Sequence, residues 1–426
     1  MKKYDVAIIG GGLSGLFIAY KLSKIGKKVI VIEGNKILGG MLRSLKIEDY
    51  FIEEFYHHIF PNNYRTIGLI EELGLKDKLK WNNAKTSFYF KKKFYNLTKP
   101  SDLLFFKPLS FREKVRLGLF LLNIKLIKFP GKFDSVSAEE FIVKRAGSQV
   151  YQKFFMPLLS AKYGKILDKI SAAWIIERIN MRNKRGYKGE VLGYLEGGFQ
   201  KIIESLREKI VENNGKIITE KFVTKLVYKT NKALFLNVGN SKIYAESFVS
   251  TIPGPSLSRI SNLPKDYKQK LNSLTNQGSI CVLLGLRKQI SDFYWTNLIE
   301  DKLPFRAIIE HTNFQPPSNY RSYIVYLASY PEISSKIWKF SDKEIFELYF
   351  KGLKELVPLT SQDVKWYRVI REKNAGLIYT RGIVDRILPI KTPVSNLFIA
   401  GMLNSYPDRN LEESIRLSTK LLDLIA

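Results

Sequence analysis

Residues 4–33 read YDVAIIGGGLSGLFIAYKLSKIGKKVIVIE, and this stretch decides the fold class. Residues 4–9 are apolar and partly β-branched, which predicts a short buried strand. After three glycines, apolar residues recur at helical spacing as far as Gly26, which is placed to end a helix. Residues 28–32 predict a second buried strand that ends at Glu33. The pattern therefore predicts a βαβ unit with parallel strands, and so an α/β fold.

The glycines of the turn have the spacing of a dinucleotide-binding loop. Gly10 permits the tight turn, Gly12 lets the backbone approach a pyrophosphate, and Gly15 lets the helix pack closely on the strand. Leu13 and Ser14 then begin the helix, whose amino terminus faces the phosphates. Strand, loop and helix follow one another in the required order, so the motif predicts an ADP-containing cofactor.

An acid closes the second strand of this unit. Glu33 lies 18 residues after Gly15, where it is positioned to accept hydrogen bonds from ribose hydroxyls. A carboxylate at this place would repel the 2′-phosphate of NADP, which argues against that cofactor. Gly34, directly after the acid, is expected in the same adenosine site.

Composition limits the remaining classes of site. The 426 residues include 69 Lys and Arg against 40 Asp and Glu, a net charge of +29. Such a charge attracts acidic substrates, anionic lipids or nucleic acids, but no nucleic-acid-binding motif is present, so nucleic acid is not expected. Cys281 is the only cysteine and there are three histidines, so no metal site is predicted. No segment reaches the roughly 20 apolar residues of a spanning helix, which predicts a cytoplasmic protein.

The loop after the acid separates FAD from NAD. Residues 37–44, ILGGMLRS, resemble the second glycine pair of the flavin amine oxidase superfamily, which includes protoporphyrinogen oxidases, phytoene desaturases and monoamine oxidases. The resemblance implies an extended FAD running along this loop, in contact with Gly39, Gly40, Met41 and Arg43. The family commonly has arginine directly after the glycine pair, where this chain has Met41.

Two further segments carry the same resemblance. Residues 192–199, LGYLEGGF, are similar to the family element that returns the chain from the substrate domain to the FAD domain. The resemblance implies that backbone groups around Val223 contact the adenine. Residues 247–250 are similar to the return strand of the family.

The carboxyl end is similar to the segment with which the family closes the flavin site. Residues 396–401, NLFIAG, predict a buried strand, and a helix is expected to start within residues 409–415. The family aims the amino terminus of this helix at the flavin, where its dipole favours negative charge. Departures from the family are Met402, where an acid is usual, and Arg409, where a glycine is usual. The resemblance implies cofactor contacts from Gly401, Met402, Asn410 and Leu411.

Residues 50–60, YFIEEFYHHIF, follow the second glycine pair and should enter beside the flavin. His58 is a candidate for lining the flavin or donating a proton, because imidazole titrates near neutral pH. Tyr406 and Arg409 are candidates for lining the substrate pocket. The alternative for each of the three is a structural role in its loop.

The predicted function is an FAD-dependent oxidoreductase that moves a hydride from a hydrophobic or amine-type substrate to flavin N5. Residues 58–60 also resemble a stretch of UDP-galactopyranose mutases, which makes a non-redox flavin mutase the main alternative. The third alternative is a membrane-associated flavin-binding protein without turnover.

Residues 99–132 are apolar and basic, with eight Lys and Arg against two acids. Apolar side chains with a basic rim suit insertion into an anionic membrane surface. The segment therefore predicts a peripheral membrane contact and a lipidic small-molecule substrate. The alternative is an ordinary helical unit with solvated lysines.

The predicted architecture is a discontinuous Rossmann-like FAD-binding domain interleaved with an α+β substrate domain. The FAD-binding domain is predicted over residues 1–85, 192–258 and 386–426. The substrate domain is predicted over residues 86–191 and 259–385, with a mainly helical part at 99–191. The sequence makes no prediction of oligomeric state.

Overall fold

A computed structural model of the chain describes residues 3–182, 189–299 and 302–426. The helices of this part of the chain are α1 (Leu13–Lys24), α2 (Tyr64–Glu72), α3 (Phe111–Lys125), α4 (Ala138–Ala146), α5 (Ser148–Val150), α6 (Met156–Tyr163), α7 (Ala172–Asn180), α8 (Gln200–Glu212), α9 (Gly254–Ile260), α10 (Lys265–Ser273), α11 (Asp342–Lys354) and α12 (Leu411–Ile425).

The strands of this part of the chain form two seven-stranded sheets and two two-stranded sheets. In chain order they are β1 (Lys3–Ile9), β2 (Val29–Ile32), β3 (Ser44–Ile47), β4 (Tyr50–Glu53), β5 (Leu79–Ala84), β6 (Thr86–Phe90), β7 (Lys93–Asn96), β8 (Glu190–Leu195), β9 (Lys216–Ile218), β10 (Val223–Lys229), β11 (Lys232–Val238), β12 (Ser241–Ser250), β13 (Ser279–Leu286), β14 (Trp295–Leu298), β15 (Ala307–Glu310), β16 (Tyr323–Ser329), β17 (Val364–Glu372) and β18 (Leu397–Ile399).

The predicted βαβ unit is confirmed. β1 pairs in parallel with β2, and α1 connects them. The turn between β1 and α1 requires Gly10, whose φ is +108°. At Gly15, a Cβ atom would lie 2.0 Å from the Gly10 carbonyl oxygen. Gly15 therefore lets α1 sit directly against the turn.

The first sheet is assembled from separated stretches of chain. Its order is β10-β11-β12-β1-β2-β9, and β18 pairs with β12. The strands come from residues 3–32, 216–250 and 397–399. The central pairs are parallel, but β10, β11 and β12 pair antiparallel, so the sheet is not parallel throughout as predicted. The predicted α/β class, with a discontinuous first sheet, is confirmed.

The second sheet has the order β17-β13-β16-β15-β14-β6-β7 and is mainly antiparallel. β13, which lies between β17 and β16, is buried at every position. Helix α11 packs on β13 and β17. Residues of this sheet, among them Thr86, Trp295 and Ala307, line the same cavity as Gly10 and Glu33, which follow β1 and β2.

Residues 100–180 are mainly helical, from α3 to α7. Helix α3 starts at a capping box, in which Ser110 accepts from the Glu113 amide and Glu113 accepts from the Ser110 amide. Its inner face buries Leu117, Phe120 and Ile124 against neighbouring helices. The outer face of α3 is also apolar, a feature that an ordinary surface helix lacks.

A buried carboxylate links the β3–β4 pair to β8 and to the start of α8. Glu53, at the end of β4, is fully buried and accepts hydrogen bonds from the Tyr194 hydroxyl and the Phe199 amide, both at 2.7 Å. Tyr194 lies on β8, and Phe199 precedes α8. Burial is the largest cause of a raised pKa of Glu53, and the two hydrogen bonds oppose it.

Candidate active site

One large cavity, with a volume of about 1040 Å³, runs from the glycine-rich turn to the helical part of the chain. Its first end is formed by the β1–α1 turn and the loop after β2. Its far end is formed by apolar side chains of α3, α6 and α7. Of the residues predicted to contact the cofactor, those lining the cavity are Gly10, Gly12, Leu13, Ser14, Glu33, Gly39, Gly40, Met41, Arg43, Gly401, Met402, Asn410 and Leu411.

The first end of the cavity fits a diphosphate. Gly12 is the N-cap of α1, no side chain caps the helix, and no acid lies in its first turn. The backbone of Gly12 has φ −76°, which any residue can adopt, and a Cβ there would meet nothing closer than 3.7 Å. The protein alone therefore does not require glycine at this position. A phosphate group lying against the uncapped amides explains why a side chain is absent.

Glu33 is held in place at the same end. One of its carboxylate oxygens accepts from the Gly11 amide at 2.7 Å, and the other accepts from the Asn35 amide at 2.8 Å. The oxygen bonded to the Asn35 amide also accepts from the Asn35 side chain at 2.8 Å. The oxygen bonded to Gly11 retains a lone pair, with which the carboxylate can accept a ribose hydroxyl. Glu33 and Asn35 both line the cavity.

Three residues predicted to contact the cofactor do not line the cavity. Gly15 packs against the Gly10 carbonyl, as described above. A Cβ at Gly34 would lie 2.3 Å from the Phe222 ring, so Gly34 makes room for that ring. Val223 begins β10 and is buried. The structure gives each of these residues a packing contact.

Arg43 lines the cavity and forms an ion pair with Glu54. Its Nη2 atom lies 2.7 Å from a Glu54 carboxylate oxygen, and this hydrogen bond is the largest cause of its raised pKa. The Nε atom of Arg43 is buried and has no hydrogen-bond partner among the described residues. A ligand acceptor would satisfy it. These residues therefore fit an extended dinucleotide.

The amino terminus of α12 also reaches the cavity, through Asn410 and Leu411. The Asn410 side chain accepts from the Glu413 amide at 2.8 Å. Glu412 and Glu413 lie in the first turn of α12. The positive pole of this helix is therefore partly compensated by carboxylates of its own first turn.

His58 lines the cavity, but not as a group that titrates near neutral pH. Its Nδ1 atom lies 3.2 Å from the Tyr294 hydroxyl, and its ring meets Phe60 and Trp295 edge-on. Burial lowers the pKa of His58 to about 3, and the pKa of the neighbouring His57 to about 4. Burial in the cavity wall therefore keeps the His58 imidazole neutral. The proton-donor prediction assumed an imidazole that titrates near neutral pH, and that assumption was wrong.

Tyr406 and Arg409 were predicted together, and the structure separates them. Tyr406 does not line the cavity, because its hydroxyl donates to Asp134 at 3.1 Å and so faces the helical part. Arg409 lines the cavity, and its Nη2 atom donates to the Gln277 side chain at 3.0 Å.

Sequence reasoning missed the polar residues of the far end. Lys162 on α6, and Trp174 and Arg178 on α7, line the cavity. Trp174 and Arg178 are four residues apart and so share one helix face. That spacing is common on helix surfaces, so it could not have distinguished this pair without the fold.

Comparisons with known proteins agree with this geometry. The sequence profile of the family described as "Flavin containing amine oxidoreductase" matches residues 13–417. The 15-cis-phytoene desaturase of Synechococcus elongatus is 24% identical over 391 residues, which cover 84% of this chain and 77% of that protein.

Two solved structures share the fold over nearly the whole chain. A protein from Exiguobacterium sp. 255-15 that carries a protoporphyrinogen oxidase name superimposes with a TM-score of 0.80 and 20% identity, covering 100% of this chain and 99% of the other. A reduced UDP-galactopyranose mutase superimposes with a TM-score of 0.78 and 15% identity, covering 99% and 95%.

Proposed function

Because the chain belongs to the family of flavin-containing amine oxidoreductases and uses FAD, we propose that it oxidises a hydrophobic substrate by hydride transfer. The observation that carries the proposal is the continuity of the cavity, from the diphosphate end at Gly12 to the apolar side chains of α3 and α6. A substrate entering at the far end would meet the cofactor without leaving the protein interior.

FAD, when bound, supplies a hydride acceptor at its N5 atom. The chain supplies the rest of the site. The uncapped amides of α1 would hold the phosphates, and apolar residues such as Leu117, Leu158 and Phe154 would exclude water from the reacting atoms. The neutral His58 imidazole, paired with Tyr294, would form part of the cavity wall rather than exchange a proton with solvent.

The charge of the cavity supports a neutral or anionic substrate over an amine. Among the lining residues of the described chain, the carboxylates are Glu33, Glu372 and Asp408, and cationic side chains outnumber them. A protonated amine would meet like charges at the far end, which disfavours binding. Of the two substrate classes predicted from the sequence, the cavity therefore favours the hydrophobic substrate over the amine.

Anaerobic mixing of the flavin-loaded protein with candidate substrates tests the proposal. The panel contains 15-cis-phytoene, protoporphyrinogen, UDP-galactopyranose and a primary amine such as benzylamine. We expect an apolar compound to bleach the flavin absorption band, and the amine to leave it unchanged.

Other results would contradict the proposal. Bleaching by the amine alone would contradict the hydrophobic substrate. Isomerisation of UDP-galactopyranose that needs prior reduction of the flavin would favour the mutase alternative. Indifference to the whole panel would favour a flavin-binding protein without turnover.

We also propose that the mouth of the cavity docks on an anionic membrane surface. Eight of the twenty-one large apolar side chains that are exposed in the described chain lie within residues 104–129. Five of them recur at helical spacing on the outer face of α3 and at its end. The apolar patch consists of Leu104, Phe105, Phe111, Val115, Leu119, Leu122, Leu126 and Phe129, which are 46–78% exposed.

Charge and position argue for lipid as the partner of the apolar patch. Lys107, Arg112, Lys128 and Lys132 are exposed around it, and a basic rim attracts anionic headgroups. Leu122 belongs both to the patch and to the cavity lining, so a lipid-dissolved substrate could pass from one to the other. No described helix is long and apolar enough to cross a membrane, so this contact would be peripheral.

Vesicle co-sedimentation tests the membrane contact. We expect the protein to bind phosphatidylglycerol vesicles at low salt, and phosphatidylcholine vesicles much more weakly. The double variant Phe105→Ser/Leu126→Ser should lower binding about tenfold or more, because two exposed apolar side chains no longer enter the interface. Val211→Ser/Leu424→Ser, which changes exposed apolar residues elsewhere, is the matched control. Equal binding by both variants and the unchanged protein would rule out docking by the apolar patch.

A further inference from the structure

Three cationic side chains from distant parts of the chain come together in the wall of the cavity. Lys162 lies at the end of α6, Arg178 lies on α7, and Arg409 lies just before α12. All three line the cavity. Burial, and after it the charges of Arg178 and Arg409, hold the pKa of Lys162 well below its ordinary value. The surroundings therefore disfavour the charged form of Lys162, and an anion bound between the three side chains would restore it.

Arg409 is built into this position by its neighbours. A Cβ at Gly376 would lie 2.0 Å from the Arg409 Cδ atom and 2.1 Å from its Nη1 atom, so only glycine leaves room for the guanidinium. Gln277 accepts from Nη2, donates to the Lys162 carbonyl, and pairs with Gly376 through its backbone amide. The Nη1 atom of Arg409 remains buried without a hydrogen-bond partner in the described chain.

The other two cations are only partly satisfied. Arg178 has a carboxylate partner, because its Nη1 atom lies 3.2 Å from Asp408. The Lys162 ammonium lies 4.6 Å from the centre of the Trp174 ring, a cation–π contact that does not neutralise its charge. Asp408 is thus the one carboxylate among the described lining residues that serves the three cations. A second negative charge would complete the cluster.

We propose that the substrate carries an anionic group, a carboxylate or a phosphate ester, which binds between Lys162, Arg178 and Arg409. This inference rests on the proposed function and adds the substrate class to it. The anion would accept from the free Nη1 atom of Arg409 and from the Lys162 ammonium, in charge-assisted hydrogen bonds. The apolar body of the substrate would then lie along Leu158 and the α3 side of the cavity.

The anchor also determines which substrates are rejected. A neutral hydrocarbon would leave the buried Nη1 atom of Arg409 unsatisfied, and an amine would add a fourth cation. Both cases cost binding free energy that an anion avoids. The cluster would therefore select an amphipathic acid over an equally apolar alcohol or amine.

Calorimetric titration of the flavin-loaded protein tests the anchor without requiring turnover. The probes are decanoate, decyl phosphate, decanol and decylammonium, which share one apolar chain and differ in the head group. We expect at least one of the two anions to bind about tenfold or more tightly than decanol and decylammonium. The preferred anion distinguishes a carboxylate from a phosphate.

Variants separate this anchor from a structural role. Arg409→Gln should weaken the preferred anion about tenfold while leaving decanol nearly unchanged. Asp408→Asn should have the opposite effect and strengthen the anion, because Arg178 loses its internal partner. Arg259→Gln, which removes an exposed charge on α9, should change neither affinity.

Equal affinities for decanoate, decyl phosphate and decanol would overturn the inference. So would an Arg409→Gln variant that loses anion and alcohol binding by the same factor, which is the signature of a merely structural residue. Because binding is measured directly, a protein that fails to bleach with any substrate can still show the anion preference. Conversely, loss of the preference leaves the flavin-reduction test unaffected.

Discussion

Replacing Gly12 by valine is expected to give a folded protein that no longer retains FAD. The backbone at Gly12 is extended, and a Cβ there would lie 3.7 Å from the nearest atom of the chain. A Cβ atom therefore fits the protein, and the methyl groups of valine should occupy the space against the uncapped amides of α1. Displacing the diphosphate removes several charge-assisted hydrogen bonds of roughly 1.5–3 kcal/mol each, so FAD affinity should fall by at least about two orders of magnitude.

The measurement is the ratio of flavin absorption to protein, followed by titration of the purified protein with FAD. Circular dichroism of the flavin-free form should match that of the parent protein after its FAD is removed. Gly15→Ala is the contrasting variant, because its Cβ would lie 2.0 Å from the Gly10 carbonyl oxygen. That variant should lose the fold itself. Full FAD occupancy in Gly12→Val would show that the cofactor does not lie on this turn.

Replacing Glu53 by alanine is expected to cost about 3–5 kcal/mol of the free energy of unfolding. The Tyr194 hydroxyl and the Phe199 amide would each lose their acceptor at a fully buried position. An unsatisfied buried donor costs about 1–3 kcal/mol, and the lost side chain leaves a cavity as well. Urea denaturation of the flavin-free protein measures the change, with the exposed Glu48 as the Glu48→Ala control.

The pH dependence of Glu53→Gln adds a second check at the same position. Burial raises the pKa of Glu53 in the folded protein. Its contribution to stability is therefore full below the pKa of the unfolded chain, about 4.3, and is lost as pH rises through the folded-state pKa. Glutamine cannot ionise, so the stability gap between the parent protein and Glu53→Gln should narrow as pH rises. A gap that widens with pH would contradict this assignment.

The turn at the cofactor end of the cavity could be predicted because its conformation depends on residues that are close together in the sequence. A strand, a side-chain-free turn and a helix follow one another within residues 4–33, and their spacing alone positions backbone amides for a phosphate. The same holds for Gly39, Gly40 and the segment at Gly401, which line the cavity as expected. Gly34 is an exception, because its neighbour in space, the Phe222 ring, comes from a distant part of the chain.

The protonation state of His58 and the orientations of Tyr406 and Arg409 could not be predicted in the same way. The pKa of His58 depends on the walls around it, and Tyr294 and Trp295 come from more than 230 residues away. Tyr406 and Arg409 are three residues apart, yet one faces Asp134 and the other faces the cavity. Sequence proximity gave no indication of this division.

The sequence by itself determined the α/β class of this protein, because periodicity and glycine spacing are properties of neighbouring residues. Its resemblance to the flavin amine oxidase superfamily implied FAD and the discontinuous first sheet. Only the tertiary structure decided that Lys162, Arg178 and Arg409 come together in the wall of the cavity, and that Leu122 both lines the cavity and lies on the exposed outer face of α3. Charge density and solvent exposure arise when distant segments pack together, so no local pattern contains them.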